Sequence, residues 1–202
     1  CLVGSEMCIR DRFSFYSLVK SSSMRIISGT HKGKIITPDK NFKARPTTDF
    51  AKENLFNVLN NYIDIEDASV LDLFAGTGSI SYEFASRGAG KIVSIELNYN
   101  HYAFIKKTAA QLGFKNMTIF KTDVFIACKK LNGTTFDIIF ADPPYNLEKI
   151  NEIPAAIFNN DLLAPDGIAI IEHPGTVDFS SEPNFFEHRR YGSVNFSIFK
   201  RQ

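Results

Sequence analysis

Val70-Leu71-Asp72-Leu73-Phe74-Ala75-Gly76-Thr77-Gly78-Ser79 decides the fold. It opens as a short apolar run, the pattern of a strand buried on both faces. It closes in Ala-Gly-Thr-Gly, a tight turn. Ile80 to Arg87 continues with helix-compatible residues and stops at Gly88. Strand, glycine turn and helix in that order form the first unit of a doubly wound α/β sheet. Gly76 and Gly78 carry no Cβ, so a ligand can lie against the backbone there. The helix start that follows offers unpaired N–H groups.

The residues around the turn narrow the ligand. A dinucleotide fingerprint requires G-x-G-x-x-G. Here Gly76-Thr77-Gly78 is followed by Ser79-Ile80-Ser81, and the third glycine is missing. Asp72, at the strand's C-terminal end, would repel a phosphate and suits a cationic or amine-bearing ligand. S-adenosylmethionine has no phosphate and carries both a sulfonium and an amino group. A glycine turn alone can be a plain βα connection, so the other acids matter. Glu96 ends the run from Lys91, about 20 residues past the glycines, where an acid can hold both ribose hydroxyls. Asp123 follows a run from Met117 to Lys121, and the run from Phe136 to Ala141 leads directly into Asp142-Pro143-Pro144-Tyr145. All of these fall at strand C-termini, the edge where open α/β sheets bind ligands.

Outward from that core, the pattern predicts strands over 69–74, 91–96, 117–121, 135–141 and 167–172. Helices are expected over 78–87, 98–112, 123–131 and 147–160. Strand-helix crossovers imply parallel neighbours with right-handed connections. Residues 185–191 and 193–200 form a hairpin around Gly192, so the sheet ends in an antiparallel pair. Upstream, Ile26-Ile27 and Ile35-Ile36 flank a Gly29 to Gly33 turn, a hairpin over 25–37. Arg45-Pro46-Thr47-Thr48-Asp49 is a loop that Pro46 holds extended. Thr48 or Asp49 caps the next helix, whose apolar stripe is Ala51, Leu55, Val58 and Leu59. Residues 1–23 fit nothing downstream. Cys1 to Arg12 resembles translated adapter sequence, and Met24 is expected to be the true start, with a non-native or disordered leader before it. The alternative is a short native helix.

With 202 residues and 44% hydrophobic content, the chain can form one well-packed domain plus a small appendage. The overall charge of +1 says little, but residues 25–52 alone hold a net +5. A basic segment on a mildly acidic body suggests a polyanion contacted from one end. Arg25, His31, Lys32, Lys34, Lys43 and Arg45 are the expected contacts to that polyanion, which the resemblance given below implies is RNA. Cys1, Cys8 and Cys128 form no CxxC and no cluster with histidine, so neither a disulfide framework nor a metal site is expected. No apolar run approaches the ~18 residues of a membrane span.

Asp142-Pro143-Pro144-Tyr145 suits one task, holding a planar base by its exocyclic amine. Prolines donate no N–H, so their carbonyls are expected to accept while their rings stiffen the turn. The carboxylate and a carbonyl would accept the two N–H bonds, and Tyr145 would stack on the ring. Catalysis would then be mostly positioning and desolvation.

At this point the chain resembles class I S-adenosylmethionine-dependent methyltransferases, among them the amino-methyltransferases with an (Asp/Asn)-Pro-Pro-(Tyr/Phe) motif. Residues 24–202 resemble more narrowly the RsmD family of bacterial 16S rRNA guanine-N2 methyltransferases. The match spans Arg25-Ile-Ile-Ser-Gly, Lys32-Gly33, Arg45-Pro-Thr-Thr-Asp, the Asp72 to Gly78 loop, Glu96, Asp142-Pro-Pro-Tyr, Ile171-Glu172-His173 and the Tyr191-Gly192 hairpin. The resemblance implies a Rossmann-like seven-stranded sheet with its last strand antiparallel, over 63–202, behind an RNA-contacting extension over 24–62. It implies that Asp72, Phe74, Ala75, Gly76, Thr77 and Gly78 hold the methionine part, that Glu96 binds the ribose, and that Asp123 with Val124 flanks the adenine. Arg45, Thr47, Leu97 and Asp142 complete the expected cofactor contacts, and Asp142, Pro143, Pro144 and Tyr145 are the expected catalytic set. The implied substrate is 16S rRNA in an assembled or assembling small ribosomal subunit, met by a cytoplasmic monomer. Three readings compete with it. These are a DNA or other RNA amino-methyltransferase on adenine N6 or cytosine N4, a nicotinamide oxidoreductase, and a non-catalytic RNA-binding module.

Overall fold

Seven strands lie in one sheet, and their order follows from which runs are buried on both faces. The computed structural model describes residues 23–38 and 47–201. The expectations for residues 1–22, Lys43 and Arg45 lie outside these residues. The elements are β1 (Met24–Arg25), β2 (Ile35–Ile36), α1 (Asp49–Leu59), β3 (Ser69–Asp72), α2 (Ser79–Ser86), β4 (Lys91–Glu96) and α3 (Tyr99–Leu112). They continue as β5 (Met117–Lys121), α4 (Val124–Lys130), β6 (Phe136–Ala141), α5 (Ile153–Phe158), β7 (Leu163–His173), β8 (Phe185–Tyr191) and β9 (Val194–Phe199). The sheet order is β5-β4-β3-β6-β7-β9-β8. β3 to β7 pair in parallel, and β9 runs antiparallel to both β7 and β8. The expected mixed α/β sheet is therefore present, with the last strand inserted between β7 and β8 rather than at the edge.

Side chains alternate between two buried layers, as the period of two requires. Val70, Ile138, Phe140 and Ile170 face the layer that also holds Leu55, Phe56 and Ile80. Leu71, Ile139, Ala141 and Ile171 face the other, with Val124 and Ile153. Met24, Ile26 and Ile36 of the hairpin join the first layer, so the hairpin and α1 pack into the core of the sheet.

Three boundaries differ from the sequence expectation. The helix expected over 147–160 shrinks to a 3₁₀ turn, Ile150–Glu152, and the six residues of α5. Pro154 sits in the first turn of α5, where its missing N–H is tolerated; further inside a helix it would break the ladder. β7 starts at Leu163, because Leu163 already pairs with Phe136 before the register shifts to Ile138 and Ile168. Gly167 lies in that irregular stretch, and a Cβ there would stand 2.9 Å from the Asp137 carbonyl oxygen. In the N-terminal hairpin the strand is Met24–Arg25 rather than Ile26-Ile27. The Ile27 and Ser28 N–H groups leave the ladder and donate to the Glu83 carboxylate, at 2.8 and 2.9 Å.

Candidate active site

Period two also aims the acids. Asp72, Glu96 and Glu172 share strand parity with Val70, Ile92 and Ile170, and Asp142 follows β6 in the parity of Phe140. Each stands at or just past a strand C-terminus, so all four converge above the α1 and α2 layer. They line one cleft of about 880 Å³, together with Asp123 and the bare backbone of Gly76.

Asp72 is almost wholly buried. A hydroxyl chain fixes one of its oxygens. Ser81 Oγ donates to Oδ2 at 2.5 Å, and Ser81 Oγ lies 2.8 Å from Ser94 Oγ. Oδ1 is buried without a close hydrogen-bond partner, and the Phe74 N–H gives the carboxylate a weak further contact. Burial pushes the carboxyl up to about 7, the Ser81 hydrogen bond opposes this, and the Asp142 and Glu96 charges add to it. An orphaned acid oxygen amid like charges suits a cationic amine.

Glu96 holds the turn. Its Oε2 accepts from the Gly76 N–H at 2.8 Å and its Oε1 from the Asn98 N–H at 2.7 Å. Each oxygen keeps a lone pair for a hydroxyl. Asp123 caps α4, Oδ1 accepting from the Phe125 and Ile126 N–H groups, which leaves Oδ2 for a ligand. A Cβ on Gly76 would meet only the Phe74 carbonyl, at 3.9 Å, so that glycine keeps the cleft floor open. This arrangement of amine acceptor, hydroxyl acceptor and bare backbone fits S-adenosylmethionine.

On the strand next to Asp72, β6, the chain runs into Asp142-Pro143-Pro144-Tyr145, which line the same cleft. The Pro144 carbonyl accepts from the Leu147 N–H at 2.8 Å, so it belongs to the turn and is not free as the sequence suggested. Pro143 lines the cleft beside Asp142. Burial pushes the Asp142 carboxyl upward. Tyr145 is 61% exposed and lines the cleft.

The family model described as Conserved hypothetical protein 95 matches residues 24–200. The chain belongs to this family. Among its relatives, ribosomal RNA small subunit methyltransferase D of Escherichia coli strain K12 is 30% identical, over 90% of this chain and 92% of that protein. The protein of the same name from Buchnera aphidicola subsp. Baizongia pistaciae is 31% identical, over 79% of this chain and 80% of its own. A solved Escherichia coli structure, "Putative methyltransferase yhhF", covers 89% of this chain and 99% of its own, with a TM-score of 0.77 and 27% identity. This agrees with the resemblance to the RsmD family read from the motifs.

Within this RsmD-family fold, the cleft gathers Thr47, Asp72, Phe74, Ala75, Gly76 and Thr77, then Glu96, Leu97, Asp123 and Val124, and the Asp-Pro-Pro-Tyr corner. Gly78 does not line it. A Cβ on Gly78 would stand 2.7 Å from the Tyr82 ring, so this glycine serves helix packing rather than ligand approach. Of the expected RNA contacts, Arg25 donates to Asp49 at 2.8 Å. The His31 ring packs edge-on against Phe114 at 4.6 Å. Lys32 and Lys34 are exposed on the hairpin turn. Glu172 and Phe50 line the cleft and are absent from the sequence-derived site. The motif Ile171-Glu172-His173 was visible, but nothing in it pointed to the cleft. Among the described residues no cluster of His, Cys, Asp or Glu could hold a metal ion, and no helix is long and apolar enough to cross a membrane.

The buried Asp72 sets a pH dependence. Its carboxyl has an ordinary value of 3.8, which the fold raises to about 7. Between those values the unfolded chain ionises while the folded chain keeps its proton. Stability therefore falls as pH rises through this window, at ~1.4 kcal/mol per pH unit for one such group. The ligand-free protein is expected to melt lower at pH 7.5 than at pH 5.5. Asp142 and Glu172, also raised by burial, add to the slope, so Asp72→Asn should lessen it by the share of one group, as differential scanning calorimetry will show; an unchanged slope refutes the assignment.

Proposed function

We propose that the protein transfers a methyl group from S-adenosylmethionine to the exocyclic N2 of a guanine in 16S rRNA of the small ribosomal subunit. One observation carries the reading. Asp72, with a buried oxygen lacking a close partner, and Asp142-Pro143 line the same cleft, so an amine-bearing methyl donor and a base amine can meet there.

S-adenosylmethionine supplies the methyl group, and its sulfur takes the electron pair of the broken S–CH₃ bond. Asp72 accepts from the amino group of the donor, and Glu96 from the ribose hydroxyls. Asp123 and Val124 flank the adenine. Asp142 and the Pro143 carbonyl accept the two N–H bonds of N2, which turns its lone pair out of the ring plane toward the methyl carbon. As the N–C bond forms, N2 becomes cationic and strongly acidic, and its surplus proton passes to water as the product leaves, so Asp142 orients the amine without having to keep its proton. Tyr145 stacks on the guanine, a contact worth ~1–3 kcal/mol. Most of the acceleration is positioning in a site closed to water.

The basic hairpin supports an RNA rather than a small molecule as substrate. Lys32 and Lys34 project from a turn that Gly29 and Glu83 lock against α2, and Arg25 stands beside Asp49 at the start of α1. Phosphates bound by this face would hold the RNA with one base in the cleft. The related small-subunit methyltransferases support a ribosomal target, and a cytoplasmic protein fits that target. The test is transfer of labelled methyl groups to small ribosomal subunits, to protein-free 16S rRNA and to duplex DNA. Label in the subunit or rRNA, at guanine N2, is expected. Label in duplex DNA alone contradicts the reading.

A further inference from the structure

Glu172 is the one cleft acid for which that mechanism has no task. It is 7% exposed, and its Oε2 has no hydrogen-bond partner among the described residues. No cation pairs with it among the described residues: the adjacent His173 donates or accepts elsewhere, at Ser197 Oγ (2.9 Å) and the Pro174 carbonyl (3.0 Å). Its position is fixed by strand pairing. Ala141 of β6 is in register with Ile171 of β7, so the next residue on each strand, Asp142 and Glu172, stand side by side. Both line the cleft, and the Asp142 charge, after burial, raises the Glu172 carboxyl. A central strand holds this acid next to the amine-binding corner, with an acceptor that only a ligand can satisfy.

Resting on the guanine-N2 reading above, we propose that Glu172 selects guanine by accepting the ring N1–H while Asp142 and Pro143 hold N2. Guanine places two donors side by side on its Watson–Crick edge, N1–H and the N2 amine. Adenine and cytosine place a ring acceptor beside their amine. Opposite the ionised Glu172 that acceptor would meet a carboxylate oxygen, and both groups would stay desolvated and unpaired. Burial and the Asp142 charge raise this carboxyl to about 8, so the discrimination is expected in full above that pH. The Asp-Pro-Pro-Tyr corner accepts any exocyclic amine; Glu172 supplies the second point that tells the bases apart. Glu172 touches the base and exchanges no bond, so its role is specificity.

The test replaces the target guanine by 2-aminopurine, which keeps the C2 amine but has an acceptor at N1. Small subunits are reassembled with 16S rRNA carrying either base at the mapped position, and kcat/KM is measured for each. The wild-type protein is expected to prefer guanine on the order of a hundredfold. Glu172→Gln presents an N–H in place of an oxygen. It should lose on the order of tenfold on guanine, gain on 2-aminopurine, and bring the preference close to parity. Glu172→Asp keeps an acceptor one methylene short, so it should slow both bases and keep the preference. A structural role would slow both bases in Glu172→Gln and leave their ratio alone. Equal wild-type rates on the two bases overturn the inference without any variant, and so does a Glu172→Gln ratio equal to wild type. Wild-type product at a position other than guanine N2 overturns the underlying reading as well, and the guanine arm alone reveals that.

Discussion

Asp142→Ala is expected to slow methyl transfer on the order of a thousandfold and to leave S-adenosylmethionine affinity within about threefold. The carboxylate stands at the end of β6, beside the Pro143 carbonyl that supplies the second acceptor. Without it N2 is held at one point and keeps the planar geometry in which its lone pair is conjugated with the ring and is a poor nucleophile. The donor half of the cleft keeps Asp72, Gly76, Glu96 and Asp123, so binding by calorimetry should survive. Asp142→Asn retains an acceptor oxygen in the same place and should lose on the order of tenfold only. That ordering separates an acceptor that orients the amine from a base that must take its proton. Wild-type turnover in the alanine variant would refute the mechanism.

The second large effect lies outside the cleft, at Gly29. A Cβ there would stand 1.8 Å from the Ser86 carbonyl oxygen and 2.2 Å from its carbon, backbone atoms of α2 that cannot step aside. The φ of +78° adds the strain of a left-handed residue. Gly29→Ala must therefore lift the hairpin from α2. That removes the Ile27 and Ser28 N–H groups from Glu83, a fully buried carboxylate whose remaining partner is Arg87 at 2.9 Å. Losing donors to a buried charge, together with the strain, is expected to cost on the order of 4 kcal/mol, a fall in melting temperature of about 10 °C. Gly33 provides the control. Its φ is +84°, but a Cβ there meets nothing within 4 Å. Gly33→Ala should cost about 1 kcal/mol, the strain alone. Equal losses in the two variants would show that docking against Ser86 does not hold the hairpin.

The parallel strands were legible because each is a run buried on both faces and bounded by turns. β4 and β5 fall on the expected residues, 91–96 and 117–121. The Asp72 to Thr77 turn, Glu96, Asp123 and Asp142-Pro-Pro-Tyr were legible because strand C-termini converge in this architecture. Properties set by pairing across the fold were not. Gly78 reads as a ligand glycine until Tyr82 of the following helix is seen against it. The Pro144 carbonyl reads as free until the turn closes on the Leu147 N–H. Glu172 reads as an ordinary strand-end acid until the register of β7 on β6 puts it beside Asp142. Helix-favouring residues at 147–149 promised a longer helix than Pro154 permits. The hairpin slipped from Ile26-Ile27 to Met24–Arg25 because Glu83, 55 or 56 residues away, competes for its N–H groups.

The central claim is that one cleft brings a sulfonium methyl donor against the N2 amine of a ribosomal guanine. Its most direct test is mass mapping of 16S rRNA after small subunits from a strain lacking this gene are incubated with the purified protein and methyl-labelled S-adenosylmethionine. One N2-methylguanosine per subunit at a single position, absent from the untreated subunits, is expected. Label on another base, on another atom of guanine, or on no nucleotide at all would contradict it.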